Sequence, residues 1–284
     1  MLAAPEIRRG FLNVFFLSLL CTSGLIAQNV SAQELIFPVF ARTEILLNPN
    51  IDPMFSDVDA FHSEFQIINP NPSAVRVTFH VFDTAGNEVL PLGSKPISRI
   101  VDPNAIAGGI GFRFPQRAVV GWVKAVSTQP VVIQEEISHS QDHDRPGPPS
   151  TLLKSRIVKW PAKLTRRAVI RVRFVPAESF GGDLLVFENT GVSIVFPSSI
   201  SGLSTRGILL LRDQIGAKFG QREISISPNG QVVQNLTELF PEVNRAFSGT
   251  LDITFDNDVY ATAIQIKVGL GQEAMDEPNN GAIP

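Results

Sequence analysis

Cysteine is all but absent: one residue in 284, Cys21, and it lies in an apolar stretch near the N-terminus. A chain with a single thiol closes no internal disulfide, and beyond residue 21 it offers no thiolate nucleophile and no thiolate metal ligand. Histidine is nearly as scarce, with four copies. Tyrosine occurs once and tryptophan twice, against twenty phenylalanines. Glycan-binding platforms use exposed Trp and Tyr, so that shortage argues against one; Phe has no polar group to satisfy and is a core filler. No Gly-x-Ser-x-Gly elbow and no His-Glu-x-x-His helix occurs anywhere. No sustained helical period runs through the chain either, so helix bundles are excluded as the architecture.

What is present begins with an export signal. Arg8 and Arg9 supply a basic start, Phe11 to Leu20 is almost wholly apolar, and Val30-Ser31-Ala32 places small or apolar groups where a signal peptidase reads them. Cleavage after Ala32 is expected. The apolar run is short for a membrane span, which needs about 20 residues. Arg8-Arg9-Gly10-Phe11-Leu12 also resembles a twin-arginine export motif, so the choice of route stays open. Leu20 before Cys21 departs from the small residue a lipid-attachment site wants. The mature chain would hold no cysteine, which suits a bacterial envelope or secreted protein.

The remainder reads as short strands separated by Gly, Pro and Asn. Phe61, Ser63, Phe65 and Ile67 alternate with His62, Glu64, Gln66 and Ile68, and Val75, Val77, Phe79 and Val81 alternate with Arg76, Thr78, His80 and Phe82. Each pattern predicts a half-buried strand. Further strands are expected at 97–101, 111–114, 119–127, 131–137, 183–187, 192–196, 207–212, 222–227, 231–236, 249–256 and 259–268, with a helical turn at 236–241.

The second half repeats the first. Asp83-Thr84-Ala85-Gly86, Pro103-Asn104, Phe114-Pro115 and Gly121 recur in order as Asp213-Gln214-Ile215-Gly216, Pro228-Asn229, Leu239-Phe240-Pro241 and Gly249. Asn69-Pro70 has Phe196-Pro197 in its place. In this pattern the chain resembles tandem Ig-like or fibronectin-like repeat modules of secreted bacterial proteins. The resemblance implies two antiparallel β-sandwiches; its motifs are turn chemistry and imply no reaction. The expected organisation is a signal peptide at 1–32, an Ig-like sandwich at 33–138, a linker at 139–168, a second Ig-like sandwich at 169–272 and a disordered tail at 273–284.

Candidate sites are few. His139, Asp142, His143 and Asp144 form the densest metal-ligand cluster, but Pro146, Pro148 and Pro149 argue against the helix that would align the histidines, so a solvated linker is the expectation and no metal is assigned. Asp52, Asp57, Asp59 and His62 lack the spacing and the glycine of a calcium loop. Inside the expected domains only His62 and His80 could serve a catalytic triad. Residues 145–177 carry nine basic side chains and no acidic one. The rest of the mature chain, with 13 basic against 26 acidic residues, is strongly negative. Arg156, Lys159, Lys163, Arg166, Arg167, Arg171 and Arg173 are therefore an anion-binding candidate, with Trp160 nearby. The same charges would equally serve to neutralise two acidic domains. Nucleic acid is a poor partner for an exported, net acidic chain.

These features point to an exported protein that is not an enzyme and needs no cofactor. It would act as a structural or adhesive pair of sandwiches at the cell surface, in the envelope or outside the cell, with no membrane span after cleavage. The alternatives are a binding module for an anionic polysaccharide or lipid through residues 145–177, and a hydrolase with its site in the interdomain cleft. A cell-surface protein or an anionic glycan is the expected kind of partner.

Overall fold

The computed structural model describes residues 32–46, 58–92, 95–116, 118–142, 153–180, 183–197 and 203–269. The expected signal peptide 1–32, but for its last residue, and the expected tail 273–284 lie outside them. Residues Ala32–Pro284 form one compact unit. Among the described residues the chain is nearly all strand, arranged as two antiparallel sheets. In order these are β1 (Gln33–Leu46), β2 (Val58–Ile68), β3 (Val75–Asp83), β4 (Ile97–Val101), β5 (Ile106–Gly111), β6 (Ala118–Ser127), β7 (Val132–Asp142) and β8 (Leu153–Lys159). The second set is β9 (Leu164–Phe180), β10 (Asp183–Val195), β11 (Thr205–Asp213), β12 (Lys218–Ile226), β13 (Gln231–Asn235), the helical turn α1 (Leu236–Leu239) and β14 (Phe247–Gly269).

The first sheet runs β4-β3-β6-β1-β2-β7-β8, and β5 pairs with the second half of β2 along the edge whose first half pairs with β1. It folds over at the β1–β2 pairing, so that β3, β6 and β1 face β2, β5 and β7 across a shared core. Alternation drives this: Val75, Val77, Phe79 and Val81 all point inward from β3 and are buried. Phenylalanine fills the space between the layers. Phe65 packs edge-on to Phe37 at 5.1 Å and to Phe112 at 5.5 Å, and Phe40 meets Phe112 at 5.4 Å.

The second sheet runs β12-β11-β14-β9-β10-β13, and β14 also pairs with β10. The early part of β14 joins β11 and β9 while its later part joins β10, so this one strand passes from one layer to the other around a separate core. The two expected strands at 249–256 and 259–268 are thus halves of β14, and those at 183–187 and 192–196 are parts of β10. The strand expected at 111–114 lies earlier, as β5. The expected helical turn is present, its N-terminus held by Asn235 N–H donating to Glu238 Oε2 at 2.7 Å.

The repeat seen in the turns extends to the pairing. Asp83 sits opposite Gly121 across β3–β6, and Asp213 opposite Gly249 across β11–β14. In both turns the glycine N–H (Gly86, Gly216) donates 3.0 Å to the aspartate carbonyl. Both glycines have positive φ, 90° and 84°, and so do the asparagines of the two Pro-Asn turns, Asn104 at 53° and Asn229 at 58°.

Residues 139–168 differ from the expected linker. The end of β7, all of β8 and the start of β9 occupy much of that span, and β8 extends the first sheet by pairing with β7 from Glu135 to Gln141. Where β8 is described, burial alternates along it, with Ile157 and Lys159 inward and Val158 outward. The first module is therefore β1–β8 and the second β9–β14 with α1.

Candidate functional site

The two modules meet face to face over a buried seam. Ile36 of β1, Trp122 of β6 and Val195 of β10 form its apolar centre, with Phe82 and Tyr260 packed against it. Trp122 stacks on Phe82 at 4.1 Å, and its indole N–H donates 3.0 Å across the seam to the Asn229 carbonyl. Gln231 completes the join. Its backbone N–H donates to the Thr84 carbonyl at 3.0 Å, and its side-chain amide donates to Gly121 O at 3.0 Å, to Ser193 Oγ at 2.8 Å and to Pro38 O. These side chains join the two sheets at the seam.

A charged cluster borders the seam. Glu135 of β7 is fully buried opposite Lys159 of β8 and receives a hydrogen bond from Ser63 of β2. Burial pushes its carboxyl up to about 8, with the Ser63 hydroxyl and the Lys159 ammonium pulling the other way. Lys159 Nζ donates 2.6 Å to the Ala263 carbonyl of the second module. The cluster is sealed from solvent, so its geometry suits a clamp between modules and gives a substrate no access. Alternation alone could have flagged Glu135: it shares the inward face of β7 with Ile133 and Ile137.

Of the expected anion-binding residues, Lys159 is a correction: it is 4% exposed and committed to the seam. The reason is that β8 turns its odd-numbered positions, Ile157 and Lys159, inward. The others described are on the surface. Arg166 pairs with Asp258 at 3.2 Å and Arg173 with Glu188 at 2.7 Å. Arg167 and Arg171 stand on the outer face of β9, and Lys163 precedes that strand; all three are exposed. Arg171 lies opposite Thr250, which in turn lies opposite Arg212, so the outer face of the second module carries a cationic row. Arg212 is tied to Asp252 at 2.7 Å. Arg156 has its backbone in β8 and its side chain lies outside the described residues.

His139 and Asp142 fall in β7 with side chains outside the described residues, and His143 and Asp144 lie outside them altogether. Among the described residues no group of three metal-ligating side chains converges. His80 Nδ1 contacts Glu88 at 2.8 Å on the wet face of β3, and His62 Nε2 faces Arg42 at 3.4 Å. A surface cleft of about 350 Å³ opens beside Arg173, Phe174, Gln214 and Phe247. No helix among the described residues is long and apolar enough to cross a membrane.

No known family and no curated protein matches the chain. One solved structure, of infectious bursal disease virus Gx strain, aligns at 9% identity over 85% of this chain and 72% of that one. Its TM-score of 0.21 is too low to bear on fold or function.

Proposed function

We propose that the protein is an exported, non-enzymatic structural or adhesive protein made of two Ig-like modules, with residues 1–32 removed as a signal peptide. The observation that carries this reading is the seam. Trp122, Gln231 and Lys159 lock the modules into one rigid body, which holds two outward sheet faces in a fixed relation. Rigid sheets bearing variable loops suit adhesion and scaffolding. N-terminal sequencing of the exported protein tests the first half of the proposal: a start at Gln33 supports it, and an exported chain that keeps residues 1–32 overturns it. Turnover of an ester, glycoside or peptide panel, lost on changing His62 or His80, would overturn the second half.

A second reading is favoured by the exposed Lys163, Arg167 and Arg171. These cations would bind an anionic polysaccharide or lipid surface. Retention on an anionic polysaccharide resin over a salt gradient decides it, with Lys163, Arg166, Arg167 and Arg171 changed together to Glu. Strong retention lost in the variant makes this face a binding site. Equally weak retention of both proteins leaves the structural or adhesive reading.

A further inference from the structure

The duplicated fold makes it possible to ask what each module does with the surface that the other uses in the seam. Val195 is the centre of the second module's seam face, and its two cross-strand neighbours are Tyr260 on β14 and Gln231 on β13. The corresponding residue in the first module is Ile68, whose neighbours are Val132 on β7 and Ile106 on β5. The match is fixed by register: the residue after each centre, Phe196 or Asn69, donates its N–H to the carbonyl of the residue that follows the asparagine of its Pro-Asn turn, Gly230 or Ala105 respectively. In the second module this row is buried against Ile36, Phe82 and Trp122. In the first it faces solvent, with Ile106 63% and Val132 41% exposed. Among the described residues this apolar row stays exposed, at the place equivalent to the one by which the second module docks on the first.

The complementary face is also duplicated. The seam pair Phe82–Trp122 has Arg212–Thr250 in its place, and Ile36 has Val169, which is 48% exposed. Pro38, whose carbonyl accepts from Ser193 and Gln231, lies in a bulge of β1; β9 lacks the bulge and places Arg171 there. Ser193 has Gln66 in its place, and the next outward residue along β2 is the exposed Glu64, opposite Glu136. The free socket is thus apolar with an acidic border, and the free face carries Val169 with Arg171 and Arg167. Arg171, in the place of Pro38, falls on the Gln66–Glu64 side of the socket and is opposite in charge to its border, while Arg167 lies beyond Val169 on the other side.

We propose that Ile68, Val132 and Ile106 form a docking socket for the Val169–Arg171 face of a second copy of this chain. The contact repeats the internal seam between molecules. It is heterologous, head to tail, because each copy offers one socket and one face, so assembly propagates from copy to copy. With Arg212 and Thr250 replacing Phe82 and Trp122 it lacks the aromatic centre of the internal seam, and it is correspondingly weak and salt-sensitive. The inference is independent of export and of any polyanion.

The test is analytical ultracentrifugation of Ala32–Pro284 at rising concentration and low salt, beside two surface variants. One carries Val132→Lys and Ile106→Lys in the socket; the other carries Val169→Glu and Arg171→Glu on the face. Near-UV circular dichroism, reporting the buried Trp122, verifies that each variant is folded. The expected result is a weight-average mass for the natural chain that rises about twofold or more and falls back in high salt. Each variant alone stays a monomer. Their equimolar mixture stops at a dimer, since one intact socket and one intact face remain. A natural chain that stays monomeric across the range, self-association surviving in either variant, or a mixture that fails to pair would each overturn the proposal.

Discussion

Glu135 concentrates the physics of this protein in one carboxyl. It is walled in by Ser63, Lys159 and the second module, and one of its oxygens has no hydrogen-bond partner. Burying a charge there is costly, and the group responds by holding its proton. Its ordinary value is 4.5 and its value in the fold about 8. Between those limits the folded protein binds a proton that the unfolded chain has released. The stabilisation from this site is therefore complete below about pH 4.5 and is lost as pH rises through about 8. Urea unfolding at about pH 5 and about pH 9 should show the natural protein losing roughly 2 kcal/mol or more relative to Glu135→Gln, whose amide is neutral at both. Parallel pH profiles for the two proteins would mean that Lys159 keeps Glu135 ionised throughout.

At the scale of elements, the two long turns explain why the repeat was readable. Asp83 and Asp213 each accept, through Oδ1, the N–H four residues on (Asn87 and Ala217) at 2.8 Å. The glycine that follows each aspartate must take positive φ. Gly121 and Gly249 are fixed by crowding: a Cβ on Gly121 would lie 1.8 Å from the Phe82 carbonyl oxygen, and one on Gly249 1.9 Å from that of Arg212. Gly249→Ala should therefore destabilise by about 3 kcal/mol or more, through displaced backbone in the β11–β14 ladder. Asp213→Ala, which loses only the turn hydrogen bonds, should cost about 1 kcal/mol. Thermal melts of the two variants separate these mechanisms, and equal costs would refute the crowding argument. Such residues impose local geometry, so the turns, the alternating β2 and β3 and the order of parts were legible in the sequence. That β8 belongs to the first sheet and not to a linker was not, because its few residues follow a proline-rich stretch and only pairing with β7 ties them to that sheet. Lys159 was misread for a related reason. Charge counting along a chain cannot see which side of a strand becomes an interface. The exposed Arg167 and Arg171, by contrast, stand on the surface as their alternation with Ala168, Ile170 and Val172 requires.

For the whole molecule the decisive question is whether two like modules behave as one. Each has its own core, so each could in principle unfold alone. The seam opposes this by burying Trp122, Ile36 and Val195 and by hydrogen bonds that cross it, from the Gln231 amide to Gly121 O and from Lys159 Nζ to Ala263 O. Separation would exchange these direct hydrogen bonds for bonds to water and expose the indole with its apolar neighbours. The natural chain should accordingly melt in a single calorimetric transition, with the calorimetric and van't Hoff enthalpies equal. Trp122→Ala removes the stacked ring and its hydrogen bond to Asn229, a change that costs about 3–5 kcal/mol when an aromatic is fully buried. Because that loss falls between the modules and not within either core, it should appear less as a lower common midpoint than as a splitting into two transitions. Trp160→Ala, changing a half-exposed indole outside the seam, should leave the single transition intact. Two transitions already present in the natural chain would show that the seam is too weak to couple the modules, and would remove the rigid relation between their outer faces on which both the adhesive reading and head-to-tail docking depend.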